Sequence, residues 1–204
     1  MRISEQRYSR DRRAMDVAAR LIEFEARTGT IRALTGLTDH RIRKLSEECG
    51  IDGRSTPMVR HRGSPPHSVS LILGKSQSKM EAAALLSLCQ LMGITGEARS
   101  PEHDLASNRI ARTEQLCDAF WTFRYLLPQS SISFEHMLLL LSEVTKGEEM
   151  AATHCTDCSA LLVVDILTLY DSRCPHCAEV MPMVRRSRSV APYRCVAEES
   201  PPYS

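Results

Sequence analysis

The chain has 204 residues, 43% hydrophobic and 25% charged, which supplies enough apolar material for a buried core and excludes wholesale disorder. Lysine and arginine total 26 against 25 acidic residues, a formal net charge of +1, so a uniformly basic nucleic-acid binder is excluded while a local basic patch is not. Aromatics are only 5%, leaving Leu, Ile, Val, Ala and Met, a helix-compatible set, to build the core. The longest uncharged stretch, Ala82 to Gly96, falls short of the ~20 apolar residues a membrane span needs. The opening MRISEQRYSRDRRAMD has charges with no apolar run behind them, unlike a secretory signal. A soluble, cytoplasmic protein without membrane contact is expected.

Residues 11–27 place Met15, Ala18, Ala19, Ile22 and Ala26 on one helical stripe. A short segment, Thr30 to Thr35, lies between two Thr-Gly breaks, after which TDHRIRKLSEEC resumes helical period. Thr38 suits an N-cap, Asp39 the first turn and Gly50 the exit. Ile42 and Leu45 face inward in this register, leaving Arg41, Arg43 and Lys44 outward. Helix, break, helix over 30–49 has the proportions of a helix-turn-helix, with 39–48 as the recognition helix.

Residues 53–80 are rich in Ser, Pro and Gly and carry Arg54, Arg60, Arg62, Lys75 and Lys79 without one acidic residue. They read as a long basic loop, or a loop with one short strand at Val69 to Leu73. Together with the outward face of 39–48, Arg54, Arg60 and Arg62 would neutralise several phosphates of a duplex. Three more helices are predicted, over Gln77 to Met92, His103 to Leu126 and Phe134 to Lys146, with Pro101 and Pro128 bracketing the middle one. Phe120, Trp121, Phe123 and Tyr125 predict an aromatic core cluster in preference to a base-stacking platform. Ala82 to Leu86 are consecutively apolar, so part of that surface is expected off the main stripe, as an interface; burial in the chain's own bundle is the alternative. Residues 181–204 turn to Pro, Ser and Arg and are expected to be a disordered tail.

Eight cysteines stand out. Cys89 and Cys117 sit in apolar helical patterns and read as packing residues, and Cys49 and Cys195 are isolated. Cys155-Thr-Asp-Cys158 and Cys174-Pro-His-Cys177 are two C-x2-C knuckles separated by fifteen residues. Zinc wants four soft donors at tetrahedral corners, and a C-x2-C turn presents two thiolates at the correct bite. The spacer SALLVVDILTLYDSR has strand-like stretches on both sides of Asp165, enough for a hairpin that returns the chain. Cys155, Cys158, Cys174 and Cys177 are therefore the expected ligands of one structural Zn2+ per chain, with His154 and His176 as flanking residues. Four protein ligands leave no open position for chemistry, so an enzyme is not expected.

Cys-Pro-His-Cys is also a redox-active dithiol motif, which makes a thiol-disulfide oxidoreductase using Cys174 and Cys177 a competing reading. The second knuckle at zinc spacing and the absence of an alternating strand-helix pattern oppose it. A nucleobase deaminase needs H-x-E, and none of the seven histidines is followed two residues later by Glu.

The stretch ARLIEFEARTGTIRALTGLTDHRIRKLSEECG, the RGSPPHSV loop, the alanine-rich helix from Met80 and the two knuckles together resemble the FlhC family of bacterial flagellar transcriptional activators. The resemblance covers residues 12–92 and 153–178 best. It implies a DNA-binding activator that forms a hetero-oligomer with the helical protein FlhD, four FlhD chains to two FlhC, and meets double-stranded promoter DNA and RNA polymerase. It also implies a four-cysteine zinc site, at Cys155, Cys158, Cys174 and Cys177 here. The expected fold is mainly α: a helical DNA- and partner-binding domain over 1–150 with a helix-turn-helix-like segment, then a small zinc-ribbon-like module over 151–180. A zinc-stabilised module that binds protein only is the alternative function.

Overall fold

The structure, a computed structural model, describes residues 5–51, 66, 72, 74–94, 106–167 and 172–180. Among these residues lie seven helices and one two-stranded sheet. The helices are α1 (Glu5–Glu23), α2 (Thr28–Thr35), α3 (Asp39–Ile51), α4 (Ser76–Leu91), α5 (Ala106–Leu126), α6 (Phe134–Lys146) and α7 (Pro175–Val180). The strands are β1 (Met150–His154) and β2 (Leu161–Asp165). The chain is mainly helical, with its small sheet next to the cysteine knuckles. No helix among the described residues is long and apolar enough to cross a membrane.

Helix α1 buries Ala14, Val17, Ala18, Leu21 and Ile22, and packs on α2, α3 and α5. The expected stripe is rotated: Val17 and Leu21 are buried while Met15 and Ala19 are only half-buried. The helix also stops short of the expected Arg27. Glu25 takes the left-handed conformation (φ 58°), its N–H donates to the Ile22 carbonyl, and the Ala26 N–H donates to the Leu21 carbonyl. This crossed pair of bonds closes the helix with Glu where Gly is usual. Arg13 with Glu114, and Arg20 with Asp118 at 2.5 Å, link α1 to α5 along the surface.

Three residues separate α2 from α3. Gly36 ends α2 at φ 74°, its N–H donating to the Arg32 carbonyl, and the Thr38 carbonyl receives the Ile42 N–H that opens α3. A Cβ at position 36 would stand 2.7 Å from Arg109 Nη2. Gly36→Ala is expected to lower stability by about 1–2 kcal/mol through left-handed backbone strain, seen as a lower urea midpoint at unchanged slope. Helix α3 runs through Gly50 to Ile51, so Gly50 is not the exit the sequence suggested.

Helix α4 packs on α5, α6 and β2. Ala82, Leu85 and Leu86 are fully buried, Ala83 nearly so and Ala84 half-buried, which corrects the expectation of an exposed interface at this run. Neighbours on several sides let a helix be apolar nearly all round. Buried Glu81 accepts hydrogen bonds from Gln77 Nε2 and Ser130 Oγ, each at 2.7 Å, pinning α4 to the loop before α6.

The expected aromatic cluster divides. Phe120 and Phe123 are buried with Phe24 and Phe134 nearby, the Phe134 ring lying 5.4 Å from Phe120 and 5.9 Å from Phe24. Trp121 and Tyr125, 57% and 73% exposed, stack on each other at 5.6 Å. Positions 121 and 125 are one turn apart on the opposite stripe of α5 from 120 and 123. Glu135, in the first turn of α6, accepts from the Arg27 N–H at 2.8 Å and Thr30 Oγ1 at 2.9 Å, joining α6 to the start of α2.

Of the expected basic loop only Pro66, Ile72 and residues 74–80 are described; Ile72 is buried and helical, not part of a strand. The rest of the loop and the expected tail, 181–204, lie outside the described residues. Of the expected spacer hairpin, the arm before Asp165 is strand β2, while residues 168–171 of the second arm lie outside the described residues. Among the described residues, β2 pairs antiparallel with β1, upstream of the first knuckle, in the register Met150↔Asp165 to His154↔Leu161. Alternation gives the hairpin two working faces. Met150 and Val163 join the helical core, while Leu162 and Val164 join a second apolar cluster with Cys155 and Cys174.

Candidate metal centre

The first knuckle is the turn of the β1–β2 hairpin. The Cys155 N–H donates to the Ala160 carbonyl at 2.8 Å, and the Ser159 N–H donates to the Cys155 carbonyl at 3.0 Å. Ser159 takes a left-handed φ of 60° to complete the turn. The second knuckle is the entry to α7, with Cys174 just before the helix and Cys177 within it. The Thr156 N–H donates to the Ser172 carbonyl at 3.0 Å and the Cys174 N–H donates to Cys155 Sγ at 3.2 Å, which closes one knuckle on the other. The Cys177 N–H donates to Cys174 Sγ at 3.3 Å.

These contacts bring the Sγ atoms of Cys155, Cys158, Cys174 and Cys177 within 4.8 Å of one another, a group that could hold a metal ion. Cys155 and Cys174 are buried, Cys177 is half-buried and Cys158 is exposed. The environment differentiates the thiols. Backbone N–H groups of Cys158 and Cys174 hold Cys155 down to about 6, favouring its thiolate. Hydrogen bonding with the sulfurs of Cys174 and Cys158, then burial, pushes Cys177 up to about 12. His154 and His176 are exposed and are not part of the four-residue group.

Two further residues of this site, Arg173 and Asp157, are not among the predicted site residues. Arg173 donates through Nε to Asp157 Oδ2 at 2.6 Å and through Nη2 to the Cys177 carbonyl at 2.7 Å. Opposite charges directly before the second cysteine of one knuckle and the first cysteine of the other were the available clue.

Among the described residues, the remaining cysteines lie apart from the cluster. Cys89 and Cys117 are fully buried, and burial pushes their thiols up to about 11 and about 12, which suits inert packing. Cys49 is half-buried against the helical core, and Cys195 lies outside the described residues.

On α3, Ile42 is fully buried and Leu45 half-buried, while Arg41, Arg43 and Lys44 are exposed. Arg41 lies 3.8 Å from Asp11 and Lys44 lies 4.0 Å from Glu48, loose pairings of exposed groups that cost little to exchange for another anion. Arg54, Arg60 and Arg62 lie outside the described residues. No protein-family model matches the chain, and a comparison with curated proteins found no match.

Proposed function

We propose that the chain is a zinc-stabilised, DNA-binding transcriptional activator of the FlhC kind, acting in the cytoplasm with an FlhD-like partner on flagellar promoters. The observation that carries this reading is the convergence of Cys155, Cys158, Cys174 and Cys177 at one point, the positions the resemblance requires. Four thiolates around a tetrahedral zinc with bonds of ~2.3 Å stand about 3.8 Å apart. The Cys158–Cys174 sulfur separation of 3.7 Å suits that spacing. An all-cysteine donor set favours zinc and fills its shell, so the ion would be structural and the protein not an enzyme. Redox use of Cys174 and Cys177 is disfavoured, because their sulfurs share one cluster with those of Cys155 and Cys158 and do not stand as a separate dithiol.

The DNA reading draws on α3. A short helix seated by Ile42, following a three-residue turn with Gly36, offers Arg41, Arg43 and Lys44 to a groove. The partner and RNA polymerase rest on the resemblance, since the apolar run Ala82 to Leu86 is buried within the chain itself.

Binding of the co-expressed complex with an FlhD-type partner to promoter DNA tests the proposal. Replacing Arg41, Arg43 and Lys44 together by Ala is expected to remove specific binding, each base-reading arginine contributing ~1–3 kcal/mol. The slope of log affinity against log salt should shrink by about 0.9 for each phosphate that is no longer neutralised. Intact specific binding in the triple variant would reject α3 as the recognition helix. A wild-type complex that binds no DNA at low salt would favour the protein-only module.

A further inference from the structure

We propose that Arg173 is the positioning residue of the metal centre, a clamp that fixes the outer two sulfurs, Cys158 and Cys177, relative to each other. The inference rests on the metal reading of the four cysteines.

The backbone bonds between knuckles, Thr156 N–H to the Ser172 carbonyl and Cys174 N–H to Cys155 Sγ, secure the buried pair Cys155 and Cys174. The outer pair is exposed at Cys158 and half-buried at Cys177, so solvent rather than packing surrounds much of it. One guanidinium fork reaches both. Nε–H meets the carboxylate of Asp157, whose peptide leads directly into Cys158, and Nη2–H meets the carbonyl of Cys177 itself. The arginine side chain is only 17% exposed against 37% for Asp157, so this pair is shielded from solvent more than an ordinary surface ion pair.

The chemistry matches the geometry. The guanidinium's charge is balanced by Asp157, so what it brings to the site is direction: one bond to each knuckle from a single planar group. The two donors leave the planar group in fixed directions, so they set an angle between knuckles as well as a distance. An ammonium on a flexible stem offers no such fixed fork, which makes lysine a partial substitute. Outer-shell partners of this kind orient ligands and tune the metal without touching it.

The experiment is a zinc titration of the full chain against a competing chelator, repeated with Co2+ so that ligand-field absorption reports the ligand set. Arg173→Ala is expected to lower zinc affinity 10–100-fold. Its bound Co2+ should keep a tetrahedral all-thiolate spectrum, because no ligand has been removed. Arg173→Lys should fall between wild type and Arg173→Ala, and Asp157→Asn should lose less than Arg173→Ala because the bond to the Cys177 carbonyl survives. The thermal midpoint of the metal-free helical core should be the same in all four proteins, a readout that separates positioning from general stabilisation. Wild-type affinity in Arg173→Ala would overturn the clamp, as would an affinity loss matched by a lower midpoint of the helical core. A wild-type chain that takes up neither ion would overturn the metal reading beneath it, an outcome visible without any variant.

Discussion

Replacing Cys155 with Ser is expected to take zinc from one ion per chain to none and to unfold residues 150–180. Cys155 is 3% exposed, and its sulfur receives the Cys174 N–H that joins the two knuckles. Structural zinc sites return on the order of 10 kcal/mol of apparent binding energy as folding energy. That is comparable to the whole stability of a typical domain, about 5–15 kcal/mol. The apolar cluster beneath the sulfurs contains only Leu162 and Val164 besides Cys155 and Cys174 as buried members, too little to hold the turns by itself. The helical core has its own large set of buried residues, so α1 to α3 should persist. Metal analysis and hydrogen exchange measure the two halves of the prediction. Exchange protection should vanish over 150–180 and survive at Leu21, Ile31 and Ile42. A metal-free variant with its hairpin still protected would contradict the prediction, and replacing Cys49 or Cys195 should leave the zinc content unchanged.

Phe134→Ala is expected to cost ~3–5 kcal/mol, the range for deleting a buried phenylalanine and leaving a cavity. The side chain is fully buried at the first position of α6, with Phe120 meeting it edge-on and Phe24 stacked alongside. It therefore joins the end of α1, the last turns of α5 and the start of α6, and the loss should spread over the whole helical core. The guanidinium unfolding midpoint reads it directly. Trp121→Ala is the matched control: another large aromatic of α5, but 57% exposed, so its removal should change stability by no more than about 0.5 kcal/mol. Equal effects from the two would show that the Phe cluster is not the core.

What could be read from the sequence was what local chemistry decides. Helix α6 agrees with its expected limits at both ends because local signals stand at each: the Ser133 side chain caps the first turn and Gly147 closes the last in a left-handed conformation. The knuckles were legible because a C-x2-C turn fixes its own bite. The early end of α1 was not, since Glu25 takes a left-handed conformation that its side chain does not advertise. Strand β1 was missed for another reason. MAATH has one β-branched residue, and what makes it a strand is the pairing with Leu161–Asp165, a non-local partner. The burial of Ala82 to Leu86 likewise depends on α5, α6 and β2 arriving from later in the chain. Arg173 and Asp157, sixteen residues apart, become neighbours only once the knuckles have closed.

The two-faced hairpin makes the metal site a keel as well as an appendage. Successive residues of β2 belong to different interiors: Leu162 to the sulfurs, Val163 to the helices and Val164 to the sulfurs again. No single peptide bond along β2 divides the metal site from the bundle, because the division runs through the thickness of the strand. Because β2 packs on α4 through the same strand that backs the sulfurs, the cysteine group meets the bundle along the length of β2 and not at one hinge.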